Sequence, residues 1–336
     1  MEKNIMMISV IIPCLNEEKY IANCLESLLI SDYDKSKLEI LVVDGMSSDK
    51  TREIVKSYSE KYNYIKLLDN PNKIVPKAMN LAIKEAKGEY IIRLDAHSKF
   101  PKNYFSKLIE YSQKLNADNV GVAVSTEMKN TTKKSNSIKK VLSHRLGVGN
   151  STFRTGVDEV TEVDTVPFGC YKREIFDKYG YYDERLERNQ DIELNKRIIN
   201  GGGKIYLIPD IKCIYYARET FGELAKNNYN NGFWNIITAY YTRTLNSLSL
   251  RHFIPLIFLL SLLLPLLLSP FYFKTLYVAL FSLSSYLALV IITSFQLRDN
   301  SNSLFYLIGS FLTLHLSYGF GSLVGIFSII NKIYKR

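Results

Sequence analysis

The sequence predicts an α/β protein in which a doubly wound, mostly parallel sheet is followed by transmembrane helices. Before residue 210, short apolar runs alternate with segments whose apolar residues recur at helical spacing. After residue 252 charge almost disappears, because the only charged residues between 253 and 331 are Lys274, Arg298 and Asp299. The 336 residues, with a net charge of +10, therefore divide into a charged α/β part and an apolar tail.

Five apolar runs of strand length begin the alternation. They cover residues 8–12, 40–43, 65–68, 90–94 and 120–124. Helices are predicted between them from start and stop signals: Asn16 can cap the first, Ser47 or Ser48 can start the second, and Pro76 suits the first turn of a third that Gly88 ends. This order is typical of strands that lie parallel with helices on both faces.

The second half of the α/β part continues the pattern. It contains a strand at residues 163–171, a short helix at 173–178, a helix at 189–200 and a strand at 204–208. Gly201-Gly202-Gly203 follows a helix and lacks the Gly-Lys-Ser/Thr ending of a phosphate loop, so it is predicted to stop that helix. The chain has no Gly-x-Gly-x-x-Gly, which argues against a dinucleotide enzyme.

Polar residues stand at the ends of three of the predicted strands. Asn16 and Glu17 follow the first strand, Asp44 ends the second, and Asp95-Ala-His97 follows the fourth. In an open parallel sheet these carboxyl ends border one crevice, where nucleotides bind. Carboxylates at such a crevice suit hard divalent cations that carry phosphate oxygens.

Pro13-Cys-Leu-Asn16-Glu17, Val43-Asp44-Gly45 and Asp95-Ala-His97, in this order, resemble the family 2 glycosyltransferases of the GT-A fold. The likeness covers residues 5–235 and is nearest to membrane-associated exopolysaccharide enzymes of the succinoglycan type. It implies a nucleoside diphosphate sugar as donor, usually with uridine. The nucleotide-binding residues that it implies are Pro13, Asn16, Glu17, Asp44, Lys73 and Asp95.

The same resemblance assigns Asp95 and His97 to a divalent metal, Mn²⁺ or Mg²⁺. A metal held there would neutralise the departing diphosphate. The imidazole favours Mn²⁺, since Mg²⁺ prefers oxygen ligands. An alternative is that His97 only hydrogen-bonds a phosphate.

The segment Arg188-Asn-Gln190-Asp191-Ile-Glu-Leu resembles the family's Glu-Asp-x-Glu-Leu element, with glutamine in place of the first acid. The resemblance makes Asp191 the general base of inverting transfer, in the first turn of a helix whose dipole favours the carboxylate. It also implies that Gly169, Gln190 and Trp234 contact donor sugar or acceptor. Trp234 falls where processive relatives carry Gln-x-x-Arg-Trp; the missing glutamine and arginine favour the addition of a single sugar.

The charge and cysteine patterns limit the partners. Seven basic residues and no acid lie between Glu127 and Asp158, which predicts either a solvated loop or a patch that meets anionic lipid or the diphosphate of a lipid-linked acceptor. Nucleic acid is not expected, because aromatic residues do not interleave with these cations. The four cysteines have no metal-binding spacing and are expected to be reduced.

The apolar tail predicts a multi-pass protein of the plasma membrane with a cytoplasmic catalytic domain. The predicted divisions are a transferase domain at 1–235, a linker or interfacial helix at 236–252, a membrane region of two or three apolar segments at 253–331 and a basic tail at 332–336. Two spans, near 276–297 and 304–330, would leave residue 300 outside the cell and both chain ends inside. Residues 253–268 would then lie in the interface or turn back.

Two rival functions remain open at this stage. One is a polyprenyl-phosphate sugar synthase, whose acceptor is a bare lipid phosphate. The other is a membrane scaffold with a degenerate transferase domain, against which the presence of all three aspartates, Asp44, Asp95 and Asp191, argues.

Overall fold

The computed structural model describes residues 5–149, 151–243 and 252–334, without the side chains of 332–334. The chain forms two compact units. The first, here called the catalytic unit, comprises the residues up to Ser125 together with Thr152–Tyr216; the second, here called the tail unit, comprises Thr126–Ser151 together with the residues from Ala217 on. Residues 244–251 of the predicted linker and the last two of the predicted basic tail lie outside the described residues.

Four parallel strands form one half of the sheet. They are β1 (Ile8–Cys14), β2 (Leu38–Asp44), β3 (Ile65–Asp69) and β4 (Tyr90–Arg93), in the order β3-β2-β1-β4. The register pairs Cys14 with Asp44 and Ile11 with Arg93. The carboxyl ends of β1, β2 and β4 therefore meet at one edge, as the sequence predicts.

The other half of the sheet is antiparallel, in the order β4-β8-β6-β9-β5, with β7 beside β9. The strands are β5 (Ser98–Lys99), β6 (Asn119–Glu127), β7 (Thr161–Glu162), β8 (Cys170–Lys172) and β9 (Ile205–Tyr216). The α/β class with a mixed sheet is confirmed. The strand expected at 163–171 is wrong, however, because only its end belongs to β8, and the two-residue strands β5 and β7 are too short to leave an apolar pattern.

Helices cover both faces of the sheet in the catalytic unit. They are α1 (Ile21–Leu29), α2 (Thr51–Lys61), α3 (Val75–Glu85), α4 (Tyr104–Lys114), α7 (Thr152–Thr155), α8 (Glu174–Tyr179) and α9 (Gln190–Asn200). Val10 and Ile12 of β1 pack in the core that holds α1 and α4, whereas Ile11 packs in the core with α3, α8 and α9. Alternate residues of the same strand thus enter opposite cores, which makes the sheet doubly wound.

Two helix starts and one loop differ from prediction. Asn16 does not cap α1, which begins at Ile21, and α2 begins at Thr51 rather than after Ser47. The basic stretch is helical, with α5 (Lys133–Leu142) and α6 (Arg145–Val148). A capping box between Thr132 and Ser135 starts α5, a signal within a Lys-rich segment that lacks a long apolar stripe.

The tail unit contains α10 (Phe221–Thr242), α11 (Ile254–Leu268), α12 (Thr275–Leu297) and α13 (Leu304–Tyr334). Of the described helices, α12 and residues 304–331 of α13 are long and apolar enough to cross a membrane; α11 is apolar but has 15 residues. Only 11% of the most apolar stretch of α12 is buried, so α12 is not a core helix of the described chain. The two predicted long apolar segments are confirmed as helices.

Glycines let α10 pack closely along α13. A Cβ at Gly232 would overlap the carbonyl oxygen of Tyr318, and a Cβ at Gly321 would overlap that of Tyr229. Small residues at such contacts are typical of helices that associate within membranes. Since α10 runs through residue 235, the predicted domain boundary at that position falls inside a continuous helix.

Candidate functional site

Asp44 is the best-bonded residue of the site. At the end of β2 its side chain is fully buried, and its carboxylate accepts hydrogen bonds from Arg52 Nη1 at 2.8 Å, from the Ser47 N–H at 2.9 Å and from Ser47 Oγ at 2.5 Å. Arg52 also pairs with Asp69 at the end of β3, at 2.8 Å. Asp44 therefore fixes the turn after β2 and holds Arg52 beside it.

Asn16 joins the turns that follow β1 and β2. It adopts the left-handed conformation, with φ of 56°, which asparagine tolerates better than most residues. Its Oδ1 accepts the Ser48 N–H at 2.8 Å, and its own N–H donates to Ser47 Oγ at 2.8 Å. Pro13 belongs to β1 but lies beyond the β1–β4 ladder, whose last pair is Ile11 with Arg93.

Glu17 and His97 form a second contact at this edge. Glu17 Oε1 lies 3.1 Å from His97 Nδ1, and the ring of Tyr215 stands edge-on to the imidazole, with 5.1 Å between centroids. Burial would lower the pKa of His97, but the phenol of Tyr215 and the carboxylates of Glu17 and Asp95 raise this pKa to about 9. His97 is therefore cationic at neutral pH when no metal competes for it.

Arg93 brings together the two aspartates with the most important predicted roles. Its Nη2 lies 3.2 Å from Asp95 Oδ1, and its Nη1 lies 3.1 Å from Asp191 Oδ2. Asp95 follows β4 and Asp191 belongs to the first turn of α9, so the pairing closes a separation of nearly a hundred residues. One guanidinium thus links the metal candidate to the base candidate.

A buried polar network anchors α9 below Asp191. Asn195, one helical turn after Asp191, accepts from Asn119 Nδ2 at 3.0 Å and donates to Thr165 Oγ1 at 2.9 Å. Asn189 stands at the N-cap position in the left-handed conformation, without a side-chain capping bond to the helix. Gln190 is buried, and in the described part of the chain its Oε1 has no hydrogen-bond partner.

The segment before β8 contacts Arg93 through its backbone. The Gly169 carbonyl accepts the Arg93 N–H at 3.1 Å, and the Phe168 carbonyl accepts the Tyr104 hydroxyl at 3.0 Å. Phe168 is buried with φ of 51°, a strained conformation for an aromatic residue. A Cβ at Gly169 would overlap the Asn119 amide, which gives this glycine a packing reason.

Two predicted site residues have no recorded contact with this group. Lys73 is exposed in the turn before α3, where its N–H donates to the Asn70 carbonyl at 3.1 Å. Trp234 is half-buried in α10 of the tail unit, edge-to-face with Phe233. Arg93 leaves a weak signal in the sequence, because it ends β4 two residues before Asp95 and residues two apart in an extended chain share one side. Arg52 gave no comparable signal.

The residues at this edge fit a divalent cation that phosphate oxygens help to bind. Within the described ranges no three His, Cys, Asp or Glu side chains are grouped as a complete metal site. A Mg²⁺-type ion needs only one or two carboxylates when the substrate supplies phosphates. Metal-binding histidines commonly have their other ring nitrogen held by a carboxylate, and the contact of Glu17 with His97 Nδ1 is of this kind.

Comparisons with known proteins agree with this site. Residues 9–180, more than half of the chain, match the profile of "Glycosyl transferase family 2". The chain is 34% identical over 212 residues to the succinoglycan biosynthesis protein ExoA of Rhizobium meliloti, a match that covers 62% of this chain and 63% of ExoA. It is 32% identical over 233 residues, 67% of this chain and 71% of the relative, to a dolichyl N-acetyl-α-D-glucosaminyl phosphate 3-β-D-2,3-diacetamido-2,3-dideoxy-β-D-glucuronosyltransferase of Methanococcus voltae.

Solved structures agree in fold. The mannosyltransferase PcManGT of Pyrobaculum calidifontis, solved with GDP-Man and Mn²⁺, matches with a TM-score of 0.61 at 15% identity, over 94% of this chain and 88% of its own. Residues 1–349 of S. aureus TarS, solved with UDP-GlcNAc, match with a TM-score of 0.53 at 19% identity, over 96% and 92%. With the strand-end carboxylates and the family match over residues 9–180, the chain belongs to glycosyl transferase family 2.

Proposed function

We propose that the protein is an inverting, metal-dependent glycosyltransferase that moves a hexosyl group from a nucleoside diphosphate sugar, with UDP as the favoured nucleotide, to a lipid-linked saccharide. The observation that carries this proposal is the Arg93 bridge, which holds Asp95 and Asp191 within reach of one guanidinium. Donor activation and deprotonation of an acceptor hydroxyl each use a carboxylate near the transferred sugar, and Arg93 keeps two candidates close together.

The nucleotide would lie along the ends of β1 and β2. Asn16 and Asp44 both hold the turn after β2, through Ser47 and Ser48, and this turn would form a preorganised wall for the base and ribose. Asp44 acts here mainly by holding Arg52 and Ser47, because its carboxylate oxygens are already engaged. Lys73 would approach the nucleotide from the turn before α3.

Asp95 and His97 would hold Mn²⁺ or Mg²⁺ together with the diphosphate. The bound ion supplies stabilisation of the negative charge that develops on the leaving group. Without the ion, the imidazolium of His97 is itself complementary to a phosphate, since its pKa lies near 9. Glu17 orients the ring in both cases.

Asp191 would accept the proton of the attacking hydroxyl. Its place in the first turn of α9 favours the ionised carboxylate. Gly169 follows the strained Phe168, and Gln190 is buried directly before Asp191. Both residues would border the sugar. The resemblance alone assigns Trp234 to the acceptor.

A membrane-bound acceptor is supported by α12 and α13 and by the name of the Methanococcus voltae relative, which specifies a dolichyl-linked sugar. The name of ExoA points to exopolysaccharide synthesis, and we propose exopolysaccharide or another cell-surface glycan as the product. The catalytic domain would be cytoplasmic, where nucleotide sugars are made available.

Contacts inside the tail unit favour a topology that differs from the sequence prediction. Lys140 of α5 pairs with Asp299 at 2.8 Å, and Asn136 Nδ2 donates to the Ser301 carbonyl at 3.0 Å. Residues 126–151 are joined at both ends to strands and helices of the catalytic unit, with no span-length apolar stretch between. We propose that residues 298–303 lie on the same side of the membrane as residues 126–151; the segment that contains α11, a helix of 15 described residues, would then have to form a third crossing, and residue 331 would lie on the opposite side.

The test of the proposal is transfer by the purified full-length protein in lipid nanodiscs. A panel of nucleoside diphosphate sugars is offered with Mn²⁺ and a polyprenyl-diphosphate sugar. We expect one UDP-sugar to yield a lipid-linked product with the added residue. Transfer to bare polyprenyl phosphate instead would replace the proposed acceptor with that of a polyprenyl-phosphate sugar synthase, and failure of every nucleotide sugar to bind would favour a scaffold.

A further inference from the structure

We infer that Arg93 is a positioning residue that couples the two carboxylates of the site, so that a cation bound at Asp95 sets the position of Asp191. The inference rests on the proposed function, because it takes Asp95 as the metal-side group and Asp191 as the base. It adds to that mechanism a residue whose side chain pairs with both carboxylates.

The Arg93 guanidinium bridges two carboxylates and does not form a bidentate pair with one. Each terminal nitrogen contacts a different aspartate, at 3.2 Å to Asp95 and 3.1 Å to Asp191. The side chain is 13% exposed, and its Nε is buried without a hydrogen-bond partner among the described residues. The strongest arginine–carboxylate geometry uses two nitrogens on one carboxylate, so the bridge leaves one donor idle.

The idle Nε defines a second arrangement that the same side chain can adopt. If Asp95 Oδ1 turns to a divalent cation, Arg93 loses one partner and can meet Asp191 with two nitrogens. The backbone of Arg93 stays fixed, since its N–H is bonded to the Gly169 carbonyl at 3.1 Å. Binding of the ion would thus strengthen the pairing of Arg93 with Asp191 and fix the orientation of the Asp191 carboxylate.

The charges of the site favour an exchange of partners at Asp95, from Arg93 to a divalent cation. Glu17, Asp95 and Asp191 bring three carboxylates to the site, and Arg93 and His97 are the cations recorded in contact with them. An arginine side chain keeps its charge in proteins, so Arg93 acts here as a permanent cation. Arg93 and a divalent cation therefore compete for the same Asp95 oxygen.

The experiment measures Mn²⁺ binding by electron paramagnetic resonance in full-length protein with UDP, together with turnover. In Arg93→Met, removal of the competing charge should tighten Mn²⁺ binding about tenfold, while turnover at saturating Mn²⁺ falls at least about tenfold because Asp191 loses its guide. In Arg93→Lys, which keeps the charge but cannot bridge, Mn²⁺ affinity should stay near that of the wild type while turnover still falls.

A matched control is Arg197→Met. Arg197 also lies partly buried and pairs with a carboxylate, Glu193 of α9, at 2.7 Å. It touches neither aspartate, so its loss should leave Mn²⁺ affinity unchanged. Opposite shifts of metal affinity and turnover in Arg93→Met cannot come from general loss of structure, which would lower both.

Two results would overturn the inference. Unchanged Mn²⁺ affinity in Arg93→Met would mean that Arg93 does not compete at Asp95. A fall in both affinity and turnover, with a lower thermal midpoint, would mean a structural role only. Asp95→Ala in the same assay keeps these outcomes apart from failure of the proposed function: if Asp95→Ala binds Mn²⁺ as the wild type does, the proposed metal site itself is wrong, whatever Arg93 does.

Discussion

Replacing Asp191 by asparagine should remove transfer while sparing nucleotide binding. The change preserves side-chain shape and keeps an oxygen that can accept from Arg93 Nη1, now 3.1 Å away. It removes the ability to take up a proton. Asp191 contacts Arg93 and its own helix, not the β1 and β2 turns where the nucleotide is proposed to lie. The effect should therefore fall on turnover.

The magnitude follows from the role. General-base catalysis contributes about 10²–10⁴-fold, or about 2.7–5.5 kcal/mol of barrier. The Asp191 side chain is 28% exposed, so exchanging its charged hydrogen bond to Arg93 for a neutral one should cost about 1 kcal/mol of stability. Loss of that size leaves the protein folded, and the two effects can be measured separately.

The assay follows incorporation of labelled sugar into the lipid fraction, with UDP binding measured by calorimetry on the same preparation. Asp183→Asn is the matched control, because Asp183 also pairs with an arginine, Arg185 at 2.7 Å, just before α9. The control should transfer as the wild type does. If Asp191→Asn keeps more than about a tenth of wild-type transfer, the loss is below the range for a general base and the assignment is wrong.

Three further outcomes are expected. Asp95→Ala should weaken Mn²⁺-dependent UDP binding and turnover together, and a metal titration identical to that of the wild type would contradict its role. His97→Asp should keep activity but move the preference from Mn²⁺ towards Mg²⁺, because an all-oxygen site suits the harder ion; an unchanged preference would mean that His97 does not contact the ion. Asn300→Cys, in a protein without its native cysteines, should react with an impermeant maleimide in inside-out vesicles and stay unreactive in intact cells, whereas labelling of intact cells would restore the two-span topology.

Much of the fold was predictable because the early strands are buried on both faces. β1 and β2 are apolar along nearly their whole length, and such runs between helical segments are a strong signal of a parallel sheet. The antiparallel half of the sheet was harder to predict, because β5 and β7 have two residues each and β8 has three, too few to show an apolar pattern. Helix α5 was not predicted. It begins with a capping box of Thr132 and Ser135 and contains several lysines, but it lacks the long apolar stripe that predicts helices reliably.

The site was predictable where its residues sit at strand ends and not where they act by pairing. Asp44, Asp95 and Asp191 were predicted from position and resemblance, and their roles stay predictions; Arg52 and Arg93 bridge carboxylates that are distant in sequence. Such pairings depend on the completed sheet.

The two-span topology stays a prediction, and one contact within the tail unit favours a different arrangement. The charge rule weighs the basic tail alone, whereas Lys140 of α5 forms an ion pair with Asp299 in the loop between α12 and α13. That ion pair joins residues more than 150 positions apart, so no local sequence pattern predicts it. Packing of Val141 against Leu307 and Phe311 supports the same placement.

The anomeric configuration of the transferred sugar tests the central claim most directly. An α-linked UDP-sugar is supplied with Mn²⁺ and lipid-linked acceptor, and the coupling constant of the anomeric proton in the product is read by nuclear magnetic resonance. Attack by a hydroxyl that Asp191 deprotonates, on the face opposite the diphosphate, predicts a β-linked product. An α-linked product would contradict the account, because it requires retention and a different use of the carboxylates that Arg93 brings together.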